Sequence, residues 1–206
     1  QALLEQLLDD VKPPYKEGTT GRHYLISTPF RYPPLKYGSR FGDRTLPSYF
    51  YASENPQTAL AECAFYRFAF LGAMDEPYQA AIKSEHLVFS VTVNSQAMID
   101  LTQVTTPAVA MSLKAIDHYG FTQALGKRLV EKEQAKVIRY FSARMADGIN
   151  LAIAAADEIS SSQPDSSVNW IGHTTEKVIS FNARGETPIA FARSDFCVDG
   201  QFPAVP

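Results

Sequence analysis

Chemistry in this chain is most readily read from Glu62. The segment Gln57-Thr58-Ala59-Leu60-Ala61-Glu62-Cys63-Ala64-Phe65-Tyr66 sets one carboxylate among small and apolar neighbours. An unpaired charge in such surroundings is costly, so Glu62 either faces solvent from an amphipathic helix or is partnered inside a cleft. Two arginines form a second group, Arg31 in Pro29-Phe30-Arg31-Tyr32 and Arg40 in Gly38-Ser39-Arg40-Phe41-Gly42. A guanidinium fork takes phosphate oxygens two at a time, glycine admits close backbone approach, and an aromatic face can stack on a base. A dinucleotide would satisfy all three, although each arginine taken alone reads better as a surface residue of an irregular loop. Farther on, Tyr140-Phe141-Ser142-Ala143-Arg144 leaves a strand with a hydroxyl at its end, followed by Gly148-Ile149-Asn150. Strand ends hold ligand-binding groups and also ordinary turn residues, and Ser142 fits both descriptions.

Other chemistries are poorly served. The sequence has no Walker A loop, no G-x-G-x-x-G, no H-E-x-x-H and no G-x-S-x-G. His23, His86, His118 and His173 are scattered, and His173 with Glu176 makes only a single weak H-x-x-E pair, so no metal is expected. The 19 Lys and Arg against 22 Asp and Glu leave a net charge of -3, which argues against a surface built to neutralise nucleic-acid phosphates. Two cysteines, Cys63 and Cys197, are too few and too far apart for a disulfide framework, and a reduced, cytoplasmic protein is the simple expectation. The apolar stretch from Phe65 to Met74 carries Arg67 and falls short of the roughly 18 residues of a membrane span. The Leu-rich opening segment contains Glu5, Asp9 and Asp10, which does not suit a signal peptide. At 206 residues, one domain over 1–206 is expected, large enough to bury roughly 70% of its unfolded surface.

The elements that must position these groups follow from periodicity and punctuation. Leu3, Leu4, Leu7, Leu8 and Val11 predict an amphipathic helix over 2–11, stopped by Pro13-Pro14. From there to about residue 48 no period persists, and the aromatics in this stretch predict an ordered, ligand-facing loop. Ser48 to Ala52 reads as a short aromatic strand, and Asn55-Pro56 as the N-cap and first-turn proline of a helix through about Leu71. His86 to Val93 is the clearest strand, with Met98 to Leu101 a short successor. Helices are expected at 107–114 and 120–133, strands at 136–141 and 150–155, a polar loop at 156–167, and sheet-completing strands at 168–171, 176–181 and 188–191. Strands and helices mix without regular βαβ alternation, which favours an α+β fold over a doubly wound one.

Taken in order, these segments resemble the RES domain, the toxin half of bacterial RES–Xre toxin–antitoxin pairs. The resemblance is carried by Phe30-Arg31-Tyr32, Gly38-Ser39-Arg40-Phe41-Gly42, Phe50-Tyr51-Ala52-Ser53 running into Thr58-Ala59-Leu60-Ala61-Glu62, and Phe141-Ser142-Ala143-Arg144 with Gly148-Ile149-Asn150-Leu151. Arg40 precedes Tyr51 by eleven residues and Tyr51 precedes Glu62 by eleven, the spacing expected of the family's Arg, Tyr and Glu. The motifs cover 30–151, about 60% of the chain. Gly-Ser-Arg-Phe stands where the family often has Gly-Gly-Arg-Trp, and the only Trp here is Trp170.

The resemblance implies a fold similar to the diphtheria-toxin-like ADP-ribosyltransferases, with mixed and antiparallel sheets flanked by helices. It implies NAD as substrate, cleaved at the nicotinamide–ribose bond by hydrolysis, by phosphorolysis with inorganic phosphate, or by ADP-ribose transfer to an acceptor protein. It would place Glu62, Tyr51, Arg40 and Ser142 in catalysis. Arg31, Tyr32, Arg40, Tyr51, Ser142 and Asn150 would hold NAD. An Xre-type helix-turn-helix antitoxin would be the partner, and the segment 168–206 would complete the sheet and face it.

Overall fold

A computed structural model describes residues 12–34, 36–76 and 80–205. The helix expected over 2–11 lies outside the described residues. The first described helix, α1 (Tyr24–Arg31), falls where a continuous loop was expected. Pro29 disguised it, yet Ile26 and Phe30 stand one turn apart and are both buried, and the His23 ring accepts a hydrogen bond from the Leu25 N–H at 3.3 Å. The packing of one short apolar stripe outweighs the N–H that proline lacks.

The next unit follows the sequence closely. Strand β1 (Phe50–Ser53) leads into helix α2 (Pro56–Gly72). The Asn55 side chain accepts from the Thr58 N–H at 2.8 Å, and Pro56 occupies the first turn, where its missing donor costs nothing. Strands β2 (Ile82–Ser90) and β3 (Met98–Asp100), helices α3 (Pro107–Leu113) and α4 (Gly120–Glu131), and strands β4 (Val137–Phe141) and β5 (Ile149–Ile153) then appear near their expected places. Strand β2 begins four residues before His86 and stops at Ser90; Val93 instead makes an isolated bridge to Ile159. Strands β6 (Ser166–Thr174), β7 (Val178–Asn182) and β8 (Ile189–Ala192) close the chain.

Two four-stranded sheets result. One runs β1-β5-β4-β3, antiparallel except for the parallel β3–β4 pair; the other, β2-β6-β7-β8, is antiparallel throughout. This is the α+β arrangement that the residue pattern predicted, and it agrees with an ADP-ribosyltransferase-like fold. Alternation along β4 and β5 splits the core of the first sheet. Val137 and Ile153 join Ile26, Phe30 and Phe50 on one face, while Ile138, Tyr140 and Ala152 join Phe41, Leu113 and Leu129 on the other. The second sheet packs Trp170, Ile179 and Phe181 against Leu60, Ala64, Phe65 and Phe68 of α2.

Register is what prepares the site. Ser53 of β1 lies opposite Asn150 of β5, which lies opposite Tyr140 of β4; one step back, Tyr51 lies opposite Ala152. Because side chains alternate, Tyr51, Ser53, Asn150 and Tyr140 emerge on one face. The loop carrying Arg40 is pressed onto that face by α4. A Cβ at Gly126 of α4 would lie 2.1 Å from the Phe41 carbonyl oxygen, and Gln123 Nε2 donates to the Tyr37 and Ser39 carbonyls at 2.9 and 3.0 Å.

Gly126→Ala should therefore force α4 and the Arg40 loop apart. Overpacking of this kind costs about 1–3 kcal/mol. Each kcal/mol should lower Tm by about 2–4 °C in a domain of this size. A thermal melt with unchanged Tm would show that the helix does not seat on the loop this closely.

Candidate active site

A cavity of about 430 Å³ opens on the face just described. Its lining includes Ser39 and Arg40 from the loop, Tyr51 and Ser53 from β1, Glu62 and Tyr66 from α2, Tyr119, Tyr140 and Asn150. Glu62 is the one carboxylate and Arg40 the one cation among the lining residues. Ala59 and Tyr66 lie near Glu62 on the same side of α2, as three- and four-residue helical spacings require.

Glu62 is half-buried and held by two donors on one oxygen. Ser142 Oγ donates to Glu62 Oε1 at 2.7 Å, and Asn150 Nδ2 donates to the same oxygen at 2.7 Å. Among the described residues no protein donor reaches Oε2. The Ser142 hydroxyl is itself fixed, because it accepts from the Arg144 and Met145 N–H groups at 3.0 and 3.1 Å. A serine hydroxyl has one proton and two lone pairs, so this one is fully used and can point nowhere but at Glu62. The tight turn after β4, in which the Ser142 N–H also donates to the Gly148 carbonyl at 2.7 Å, is what aims it.

Tyr51 is held at its far end. Its hydroxyl accepts from the Phe41 N–H at 3.1 Å and donates to Ser39 Oγ at 2.8 Å, while 38% of the residue stays exposed. Burial of that hydroxyl pushes its pKa up, the Ser39 and Phe41 hydrogen bonds opposing the shift. Desolvation likewise raises Tyr66, whose hydroxyl sits 3.3 Å from that of Tyr119, and Tyr140, which is 4% exposed. These three phenols stay protonated near neutral pH.

The two arginines take different places. Arg40 lines the cavity but is 7% exposed, and its Nη1 donates to the Leu113 and Ala115 carbonyls at 3.2 and 3.0 Å while its guanidinium stacks on Tyr119. Much of its donor capacity goes to capping the end of α3. Arg31 lies at the end of α1, with Nε donating to the Pro13 carbonyl at 2.5 Å and its guanidinium on the Tyr15 ring. Arg31 and Tyr32 are not among the residues lining the cavity. Asn150, expected to touch NAD, spends its amide on Glu62. The structure thus brings Arg40, Tyr51, Glu62, Ser142 and Asn150 together and leaves Arg31 and Tyr32 outside.

Sequence reasoning gave no role to Ser53, Tyr66, Tyr119, Tyr140 or Arg144. Tyr66 had a signal, four residues after Glu62 on the same helix; the others depend on register and loop path. Arg144 is 6% exposed, donates through Nη2 to the Ile116 carbonyl and the Tyr119 hydroxyl at 2.9 and 3.2 Å, and lies 3.8 Å over the Phe65 ring. A second, larger cavity of about 570 Å³, walled by residues of β1, α2, β2 and β6, shares Tyr51, Ala52, Ser53 and Ala59 with the first. No group of three or more His, Cys, Asp or Glu side chains able to hold a metal occurs among the described residues. No helix among them is long and apolar enough to cross a membrane.

The arrangement can bind a neutral or cationic group next to a fixed carboxylate, with phenols and one guanidinium around it. The model of a family described as the RES domain matches residues 14–171. No curated protein matches the chain.

The Arg40 geometry makes its own forecast. Arg40→Met strands the Leu113 and Ala115 carbonyls and should cost about 2–3 kcal/mol of unfolding free energy, as hydrogen bonds to charged groups do. Urea denaturation should show the midpoint falling at constant slope. An unchanged midpoint would mean that these bonds do not hold the loop.

Proposed function

The chain belongs to the RES domain family, and from that premise we propose that it is an NAD-consuming enzyme that breaks the bond between nicotinamide and ribose. The observation that carries this reading is the carboxylate of Glu62, fixed by Ser142 and Asn150 in a cavity whose other lining groups include Arg40 and the Tyr51 ring. Nicotinamide leaves NAD as a neutral molecule from a cationic ring and takes the bonding pair with it. The ribose carbon left behind is oxocarbenium-like and positive, and a fixed carboxylate binds that charge more strongly in the transition state than in the substrate. Glu62 Oε2, without a protein donor, is the oxygen with capacity to meet the ribose. Tyr51, its hydroxyl tied to the loop, offers its ring face as a wall for the nicotinamide–ribose portion, and Arg40 lends positive potential for the pyrophosphate.

The acceptor then sets the product. Water gives ADP-ribose and a proton, and inorganic phosphate gives ADP-ribose 1″-phosphate. A nucleophilic side chain gives an ADP-ribosylated protein. Depletion of NAD by either of the first two routes would halt growth, which makes the chain the toxin of a pair whose partner is an Xre-type helix-turn-helix antitoxin. NAD turnover of this kind belongs to the cytoplasm.

Incubation of the purified protein with NAD, with and without phosphate, and separately with lysate and labelled NAD, distinguishes the routes by product. NAD intact in every condition would overturn the reading. Glu62→Gln keeps the shape and removes the charge, so kcat should fall about 10²–10³-fold, the range seen when one charge-stabilising group is lost, while the Kd for NAD changes little. Equal losses in both would place Glu62 in ground-state binding instead.

A further inference from the structure

Ser53 takes no part in the scheme above, yet its hydroxyl begins a chain of hydrogen bonds that ends on the reacting carboxylate. Cross-strand pairing sets Ser53 opposite Asn150. Ser53 Oγ donates to Asn150 Oδ1 at 2.6 Å, and Nδ2 of the same amide donates to Glu62 Oε1 at 2.7 Å. An amide is an acceptor at one end and a donor at the other. Turned over, Asn150 would set its carbonyl oxygen against a carboxylate oxygen, two acceptors in contact at a residue only 4% exposed. The network therefore assigns the orientation, since the amide nitrogen must face the carboxylate and the amide oxygen must then find a donor on the other side. Ser53 is that donor.

We propose that Ser53 is a positioning residue for NAD cleavage, holding the Asn150 amide so that Nδ2 stays on Glu62 Oε1 and Oε2 stays turned to the ribose. This inference rests on the reading of Glu62 as the group that meets the anomeric carbon. Ser142 cannot take over the task. Its one proton is already on Oε1 and its lone pairs are used by the Arg144 and Met145 N–H groups. With Ser142 alone the carboxylate can pivot about a single hydrogen bond. A second donor, arriving from a different strand, fixes the carboxylate plane. Small errors in the placement of a charged group reduce the transition-state contact more than they reduce substrate binding.

The test is a double-mutant cycle on NAD cleavage with Ser53→Ala, Asn150→Ala and the pair, alongside Ser53→Thr, which keeps the hydroxyl. Ser53→Ala should lower kcat about five- to tenfold, the worth of one neutral hydrogen bond, with KM for NAD held within about twofold. Ser53→Thr should restore most of the rate. In the Asn150→Ala background, Ser53→Ala should have no further effect. If Ser53→Ala fails to fold by thermal melt, Ser53→Cys, which retains the atom count with a weaker donor, carries the same comparison. The same fold-loss with and without Asn150, or an unchanged kcat in Ser53→Ala, overturns the inference and leaves the NAD reading standing. An unsubstituted protein that leaves NAD intact overturns that reading and the inference with it.

Discussion

A carboxylate brought into a half-buried cavity is the constraint around which this structure is arranged. Glu62 arrives on a helix whose side chains next to it are small and apolar, and unless its charge is compensated the helix has every reason to turn it outward. Two neutral donors do the compensating. A guanidinium in their place would have neutralised the carboxylate's field. The nearest arginines are instead directed elsewhere, Arg40 to backbone carbonyls at the end of α3 and Arg144 to a carbonyl, a phenol and the Phe65 ring. Glu62 is thus held in place while its negative charge keeps its reach.

That placement depends on both sheets at once. Leu60, Ala64, Phe65 and Phe68 fasten α2 to the second sheet, whereas the donors on Glu62 come from the first. The 2.7 Å contacts therefore measure the fit between two separately built halves. Phe65 sits at the joint: it is fully buried, packs on Phe196 and Phe202, and carries the Arg144 guanidinium on its face. A well-packed interior transmits small shifts, so core volume at this position and geometry at the carboxylate are linked.

The elements were legible in the sequence where a local signal defined them. Asn55-Pro56 marked the start of α2 because capping is chemistry between near neighbours, β4 stood out by its β-rich composition, and the closing strands by their alternation. Helix α1 was hidden because Pro29 argues locally for a break, while the burial of Ile26 and Phe30 that stabilises the helix comes from distant partners. The same division holds in the site. Glu62 stands out as a carboxylate among small and apolar neighbours, whereas Tyr51 and Ser142 take roles only through the ordered motifs of the family resemblance. Arg31 and Arg40 both sit beside aromatic residues, and only the path of the chain sets one at the cavity and the other beside Pro13. Ser53 and Tyr140 acquire meaning through strand register, which no single stretch of sequence encodes.

Val205 also lines the cavity that holds Glu62, and the aromatic anchor just before it, Phe202, stacks on Phe65 under the Arg193 guanidinium. This segment lies beyond residue 171, where the family match stops. Part of the cavity wall is thus drawn from outside the matched residues, while the hydrogen bonds to the carboxylate are drawn from inside them. Substitutions in the tail can therefore reshape the cavity wall while leaving the hydrogen bonds that hold Glu62 untouched.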